Sequence, residues 1–321
     1  MLKGLALTPP VLGRIAIGRV VEKNGKRLPE KDDEFTITTQ VQGQSGWIPH
    51  PLDEALRQQA SGKLRSIPVR LVFNDPDLNL RANFTLFDRA RGRPLCVGNG
   101  ETCRRVTSSG VQSLPCPGPE SCELGESGGC KLCGRLNVRI GDEDEFGTFI
   151  LRTTGFNSIR TLATRLRYFA AGSGGLLAGL PLELRLRGKS TAQSHWTPIY
   201  YVDLTLRKGM GICEAIASAK AFRQERLEAG FDQDALDAAA REGFLNGAFE
   251  ETMEEGAEVA EEFFPEPLRD ARQEAPAAKA TLAGKLEGKA SKLAAGRAAR
   301  THSSSAAELT SVSSEGVNHA H

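Results

Sequence analysis

The chain has 321 residues, 25% of them charged and 40% hydrophobic, and a formal net charge of +1. That length accommodates one large or two modest domains, and near-neutrality excludes a global field that would draw the whole surface onto nucleic acid or membrane, so any such binding is local. The opening MLKGLALTPPVLGRIAIG is broken by two prolines and makes a poor signal peptide. No run approaches the roughly eighteen apolar residues of a membrane span, which predicts a cytosolic protein with no membrane partner.

Residues 14–22 (RIAIGRVVE) and 34–41 (EFTITTQV) alternate apolar and polar around a turn at Asn24 to Lys26, which predicts a hairpin. SIPVRLVFND (66–75) and LRANFTLFD (80–88) predict a second, similar pair before the RGRP run at 91–94 breaks the pattern. A cysteine-rich stretch comes next, and LNVRI (136–140) and FGTFILRTT (146–154) then resume strand character. The next segment predicts a helix over 158–170, with Ile159, Leu162, Leu166 and Phe169 on one face, Asn157 or Ser158 as its cap, and GSGG at 172–175 as its stop. LPLELRLRG (180–188) and TPIYYVDLTLR (197–207) predict two closing strands. Alternation sends Tyr200 and Tyr201 to opposite faces, and core packing is the expected use of these tyrosines and of Trp196, ahead of anchoring a partner. The fold class is therefore α+β: a β-rich core domain over 1–210 with a cysteine-rich loop at 96–133 inserted in its middle.

After Met210 the composition changes. Residues 211–266 predict a helical segment whose acidic face culminates in FEETMEEGAEVAEEFF, with no lysine or arginine between Arg241 and Arg269. Residues 267–321 lack aromatic side chains, so burial cannot offset the entropy of ordering, and a disordered tail is predicted. The tail is basic, with Arg272, Lys279, Lys285, Lys289, Lys292, Arg297 and Arg300 against Glu274 and Glu287 over 271–300. The acidic stretch at 250–262 either opposes that tail within the chain or mimics nucleic acid.

Six cysteines run C-x6-C-x12-C-x5-C-x7-C-x2-C from Cys96 to Cys133. In a reducing compartment such a cluster favours metal over disulfides. The prolines and glycines between them supply the turns a backbone needs to wrap a small ion, and a metal would order a loop with few apolar residues of its own. The flanking histidines, His50 and His195, are remote in sequence, so thiolates are the expected ligands and structural zinc the expected cofactor. Unliganded thiols, a disulfide pair and an iron–sulfur centre are the alternatives. One zinc needs four ligands, which leaves spectators among Cys96, Cys103 and Cys133; the CxxC spacing of Cys130 and Cys133 favours that pair.

The segment CKLCGRLNV at 130–138, then FGTFILRTTGFNSI at 146–159 and the closing strands, resembles the recombination directionality factor family of actinobacteriophages, accessory proteins of large serine integrases. LGRIAIGRVVEKNGKRLPEKDDEFTIT at 12–38 is similar to that family's opening, so the resemblance spans about residues 7–207. It also extends to proteins of integrative elements described only as hydrolase or metal-binding. The resemblance supports Cys116, Cys122 and Cys130 best, and Cys103 with Arg104 and Arg105 behind it, while Cys96 competes for the fourth place. Cys133 is least supported, because the phage proteins show lysine-proline-threonine-threonine where this chain has Lys131, Leu132, Cys133 and Gly134. The expected ligands are thus Cys103, Cys116, Cys122 and Cys130, with Cys96 and Cys133 as alternates. The resemblance implies a non-catalytic protein that binds a site-specific integrase on DNA and shifts which sites recombine.

The sequence offers no catalytic constellation, since no histidine stands in a metal-binding pairing and Asp75, Asp77 and Asp142 to Glu145 read as solvated turns. DNA contact has a local basis: Arg152, Arg160, Arg165, Arg167, Arg185, Arg187 and Lys189 face a single acidic residue, Glu183, between 151 and 189. All of these but Arg152 are the expected phosphate-binding set, against the alternative of a solvated helix face. A zinc-containing nucleic-acid-binding protein of element replication or maintenance, and a metal-dependent hydrolase, are the competing functions.

Overall fold

The computed structural model describes residues 7–243 apart from 24–25, 44–45, 61, 89–91, 126–128 and 143–146. The chain divides into two units, Met1–Glu266 and Pro267–His321, and every described residue lies in the first. The expected basic tail and the acidic stretch at 250–262 lie outside the described residues.

The described strands, in chain order, are β1 (Val11–Lys23), β2 (Lys26–Gly43), β3 (Gly46–Pro49), β4 (Ser66–Leu71), β5 (Leu80–Asp88), β6 (Arg93–Gly98), β7 (Thr102–Thr107), β8 (Gly110–Pro115), β9 (Cys130–Ile140), β10 (Thr148–Thr153), β11 (Leu182–Lys189) and β12 (Ile199–Leu206). The helices are α1 (Pro51–Ala60), α2 (Pro76–Asn79), α3 (Phe156–Gly172), α4 (Ile212–Glu228) and α5 (Gln233–Gly243). The main sheet order is β3-β2-β1-β10-β9-β5-β6-β7-β8, with β4, β11 and β12 branching off β9. Only the β1–β10 pairing among these is parallel.

The branch is made by β9. Its residues Cys130 to Leu136 pair with β5, and its last residues, Val138 to Ile140, pair with β4 along the same edge. The sheet therefore splits: β4-β11-β12 curl over one end, and β5-β6-β7-β8 extend the other. α3 fills the angle, burying Ile159, Leu162, Leu166 and Phe169 against a core that includes Leu80, Leu136, Leu184, Val202 and Leu204. This is the apolar stripe expected for that helix. Gly134 of β9 lets it approach, because a Cβ there would lie 2.8 Å from Ile159 Cγ1.

The first hairpin forms as expected, with Lys23 opposite Lys26, and so does the closing pair β11–β12. The second expected pair is not one: β4 and β5 belong to different branches. Asn79 explains it, since its Oδ1 accepts the Val72 and Phe73 N–H groups while Nδ2 donates to the Phe73 and Asp75 carbonyls. With Asp75 as N-cap and Pro76 in the first turn, the connection becomes the short helix α2, which redirects the chain. α3 also differs at its start. Its N-cap is Gly155, with no side-chain cap bond, and the Ser158 hydroxyl instead accepts the Val202 N–H at 3.1 Å, tying helix to β12.

α4 and α5 continue from the sheet. Ala219 of α4 packs on Gly179, and Phe222 lies under the guanidinium groups of Arg70, Arg139 and Arg226 at 4.7, 5.6 and 4.9 Å. α5 is tied to the α2 connection, where Asp237 accepts the Asn74 N–H and Arg241 Nε bonds Asp75 Oδ2 at 3.0 Å. No helix among the described residues is long and apolar enough to cross a membrane.

Because α3 seats on Gly134, a Gly134→Val change should overpack that contact and lower the unfolding free energy by about 1–3 kcal/mol, read by chemical denaturation. An unchanged midpoint would show that the helix does not depend on this approach.

Candidate functional site

One sheet face carries the cysteines and α3, whereas the register places Arg185, Arg187 and Lys189 of β11 on the opposite face. Direct cross-strand partners share a face and so do alternate residues of one strand. The register therefore aligns Leu136, Gly134, Leu132 and Cys130 of β9 with Leu80, Ala82, Phe84 and Leu86 of β5. It continues through Gly98 and Cys96 of β6 to Cys103 and Arg105 of β7. α3 covers the first half of this face and the cysteines occupy the second. Between them runs a groove of about 250 Å³ lined by Phe84, Gly98, Leu132, Phe156, Arg160 and Ala163.

The cysteine stretch is not the irregular loop the sequence suggests. Residues 93–115 form a three-strand meander, β6 to β8, turned at Asn99, whose Oδ1 accepts the Glu101 and Thr102 N–H groups, and at Gly110, with φ of +102°. Of the described residues between β8 and β9, 116–125 and 129 belong to no helix or strand. Cys96, Cys103 and Cys116 are buried together with Leu86 and Leu114 packed against them. Gly98 makes room for the cluster, since a Cβ there would lie 2.6 Å from Cys116 Sγ. Cys103 Sγ donates to the Pro115 carbonyl at 3.6 Å. Arg105 sits among the sulfurs, its Nη2 3.8 Å from Cys122 Sγ and 4.0 Å from Cys103 Sγ.

Burial, followed by the neighbouring Cys96 sulfur, pushes the Cys103 thiol up to about 11. Burial likewise pushes Cys130 up to about 11, with Cys96, Cys116 and Cys122 adding to it. Cys96 and Cys116 thus act on both Cys103 and Cys130. Cys133 is not on their face: three residues from Cys130 in an unbroken strand register, it points to the other side, so the CxxC pair does not act as it would in a turn. No disulfide joins any of the seven cysteines, all of which are described. As the side chains stand, no three His, Cys, Asp or Glu residues among the described ones are grouped to hold a metal ion. The donor chemistry nevertheless suits a soft cation, because thiols arrive from β6, β7, the chain just after β8 and the start of β9 with a guanidinium beside them.

The six expected phosphate-binding residues lie on α3 and β11 and are not equivalent. Asp203 of β12, 4% exposed, is shared by Arg165 Nε at 3.1 Å and Arg187 Nε at 3.3 Å. Arg185 pairs with Glu183, and Lys189 Nζ donates to Asn157 Oδ1 at 2.8 Å. Arg167 meets Asp77 at 3.5 Å with both side chains largely exposed, a pair of little energetic weight. Arg160 is exposed and has no carboxylate partner among the described residues. Asp203 and Arg105 are the organising residues that sequence reasoning missed. Asp203 was visible as the one acid in the closing strand YYVDLTL, and Arg105 as the cation two positions after Cys103.

α3 and the β11–β12 connection also display apolar surface. Phe156, Tyr168 and Trp196 are 64, 66 and 74% exposed, so Trp196 is not the core residue expected. It stands in the β11–β12 connection, where His195 and Trp196 both have positive φ, 48° and 61°. Tyr200 packs on the core as expected, and Tyr201 faces Lys189, 5.9 Å from ring centre to Nζ.

A family described as "Gp3-like: Recombination directionality factor-like" matches residues 12–207, more than half of the chain. The matched span contains the whole sheet except the first residue of β1, α3 and every cysteine but Cys213; α4, α5 and the remainder lie beyond it. No curated protein matches the chain, and no solved structure does.

The burial of the sulfurs predicts their reactivity. In reduced protein freed of metal by chelation, exposed Cys213 should be alkylated readily at about pH 8, whereas Cys103 and Cys130 should react only as pH nears the values that burial gives them. Mass-spectrometric mapping after a short iodoacetamide pulse reads this; equal labelling at every site would contradict the cluster.

Proposed function

The chain belongs to the Gp3-like, recombination directionality factor-like family, and from that membership we propose that it is a non-catalytic accessory protein of a phage or other mobile element, which binds a site-specific integrase and DNA to set the direction of recombination. The observation that carries this reading is the extent of the family match, residues 12–207, which takes in the branched sheet and its helix together. Such a role needs surface and not a reacting group: the protein must bind one arrangement of an integrase on DNA better than another, and the equilibrium shifts by that difference.

Two surface features fit this role. The cations of α3 supply a phosphate-tracking edge, with Arg160 and Arg167 as its available members, because Arg165 and Arg187 already hold Asp203. The exposed aromatics Phe156, which lines the groove with Arg160, and Trp196, in the β11–β12 connection, give a protein partner rigid apolar anchors. We further propose structural zinc in the thiol cluster, taken by four of Cys96, Cys103, Cys116, Cys122 and Cys130. Zinc would neutralise and cross-link thiolates that otherwise form a core of only a few apolar side chains, and Arg105 would offset the charge of a four-thiolate site.

In a reconstituted reaction with the integrase of the same element and paired attachment sites, added protein should stimulate recombination of one pair and inhibit the other. No effect on either pair would overturn the proposal. For the DNA edge, R160E/R167E should weaken retention of duplex DNA and flatten its salt dependence by about two phosphate contacts, roughly 0.9 in log–log slope for each. Unchanged binding would return both arginines to a solvated helix face.

A further inference from the structure

The described chain ends beside the basic helix. Arg241, two residues before the last described position, bonds Asp75, the cap of α2, and Asp77 of that four-residue helix meets Arg167 of α3. The described chain therefore ends next to α2, which meets α3. Residues 244 onward begin FLNGAFEETMEEGAEVAEEFF, with seven glutamates between 250 and 262 and no cation before Arg269.

Spacing makes the complementarity specific. α3 has three arginines and no acidic residue, and its exposed stripe runs Phe156, Arg160, Thr164, Arg167. Arg160 and Arg167 are two turns apart, about 10 Å along the axis. In the acidic segment Glu251 and Glu258, Glu254 and Glu261, and Glu255 and Glu262 have the same seven-residue separation. Phe249, Met253, Ala257, Ala260 and Phe264 recur at spacings of three and four, the pattern of an apolar stripe beside those acids. On α3 the exposed apolar counterparts are Phe156 and Tyr168. Six residues, 244–249, can span about 20 Å when extended, enough to reach either end of the stripe.

We propose that the chain's own segment 249–264 docks along the exposed face of α3, its glutamates on Arg160 and Arg167, as a built-in competitor of the polyanion that this face takes. The basic tail at 271–300 is the rival occupant for those glutamates. The α3 face is favoured because the described chain ends beside α2, which meets α3, and because Arg160 has no carboxylate partner among the described residues. The docking itself needs only the α3 face; its effect on DNA rests on the DNA edge proposed above. A protein so built would hold nucleic acid weakly until a partner displaced the segment.

The test uses the full chain. A photo-cross-linking phenylalanine analogue placed at Tyr168, and separately at Phe156, should give an intramolecular adduct that maps to 249–264. The adduct should be lost in E251Q/E254Q/E255Q/E258Q/E261Q/E262Q. The same variant should bind a 20-base-pair duplex of arbitrary sequence about fivefold or more tighter than wild type at low salt, an advantage that fades as salt is raised. An adduct within 267–321, an adduct between two molecules, no adduct at either position, or an adduct indifferent to the glutamine changes would overturn the docking. If the adduct forms as expected while neither protein retains DNA, the docking stands and the DNA edge fails. If the adduct forms and the glutamine variant binds DNA no better, the segment docks without competing, and the inhibitory role is overturned.

Discussion

Strand β9 is the constraint on which the rest of the structure depends. One edge of its eleven residues serves two partners, β5 along Cys130 to Leu136 and β4 along Val138 to Ile140, while β10 takes the other edge. A sheet hydrogen-bonded this way must open, and the opening is where α3 sits. The glycine at 134 belongs to the same logic. It lies at the point of the branch, where any side chain would hold the helix away from the sheet. Everything of functional interest on this side, the thiol cluster, the groove and the basic helix, inherits its position from that arrangement.

Charge around α3 and β11 is divided between structure and availability. Asp203 is buried and takes two arginines from different elements, so Arg165 and Arg187 help fasten α3 to β11 and β12. Removing one partner of such a buried group costs far more than losing an exposed pair. Arg160 and Arg167 carry no comparable burden. A count of cations in the sequence merges these two kinds, whereas the structure separates them and narrows a basic region to two residues that a ligand can take without unfolding the site.

Much of the fold was legible because its periodicities are clean. The stripe Ile159, Leu162, Leu166, Phe169 could belong only to a helix with one buried face, and the alternation of the first hairpin and of the closing strands fixed their pairing. Residues 93–115 were opaque for a physical reason: TCRRVT and GVQSLP build an edge of the sheet whose outer strand is almost wholly exposed, so no apolar alternation marks it. The pairing of β4 and β5 was misjudged because the deciding interactions are the side-chain bonds of one asparagine, Asn79, which no propensity records. In the thiol cluster the residue types were evident, but the spacing misled at one position. Cys130 and Cys133 suggest a chelating pair only if the chain turns between them, and it runs straight.

The thiol cluster occupies the place of a hydrophobic core in the β5–β8 extension, where Leu86 and Leu114 are the apolar side chains packed with it. Buried thiols pack as small hydrophobes, yet three of them, with Cys122 and Cys130 part-exposed at their margin and an arginine alongside, are a poor way to fill space and a good way to hold a soft cation. The proposed zinc would close this extension beside α3. Elemental mass spectrometry of protein purified without added metal, with thiol titration alongside, tests it most directly. About one zinc per chain is expected, with four thiols protected until the metal is chelated. No zinc, with every cysteine titrating freely once the chain is unfolded and no change on chelation, would contradict it.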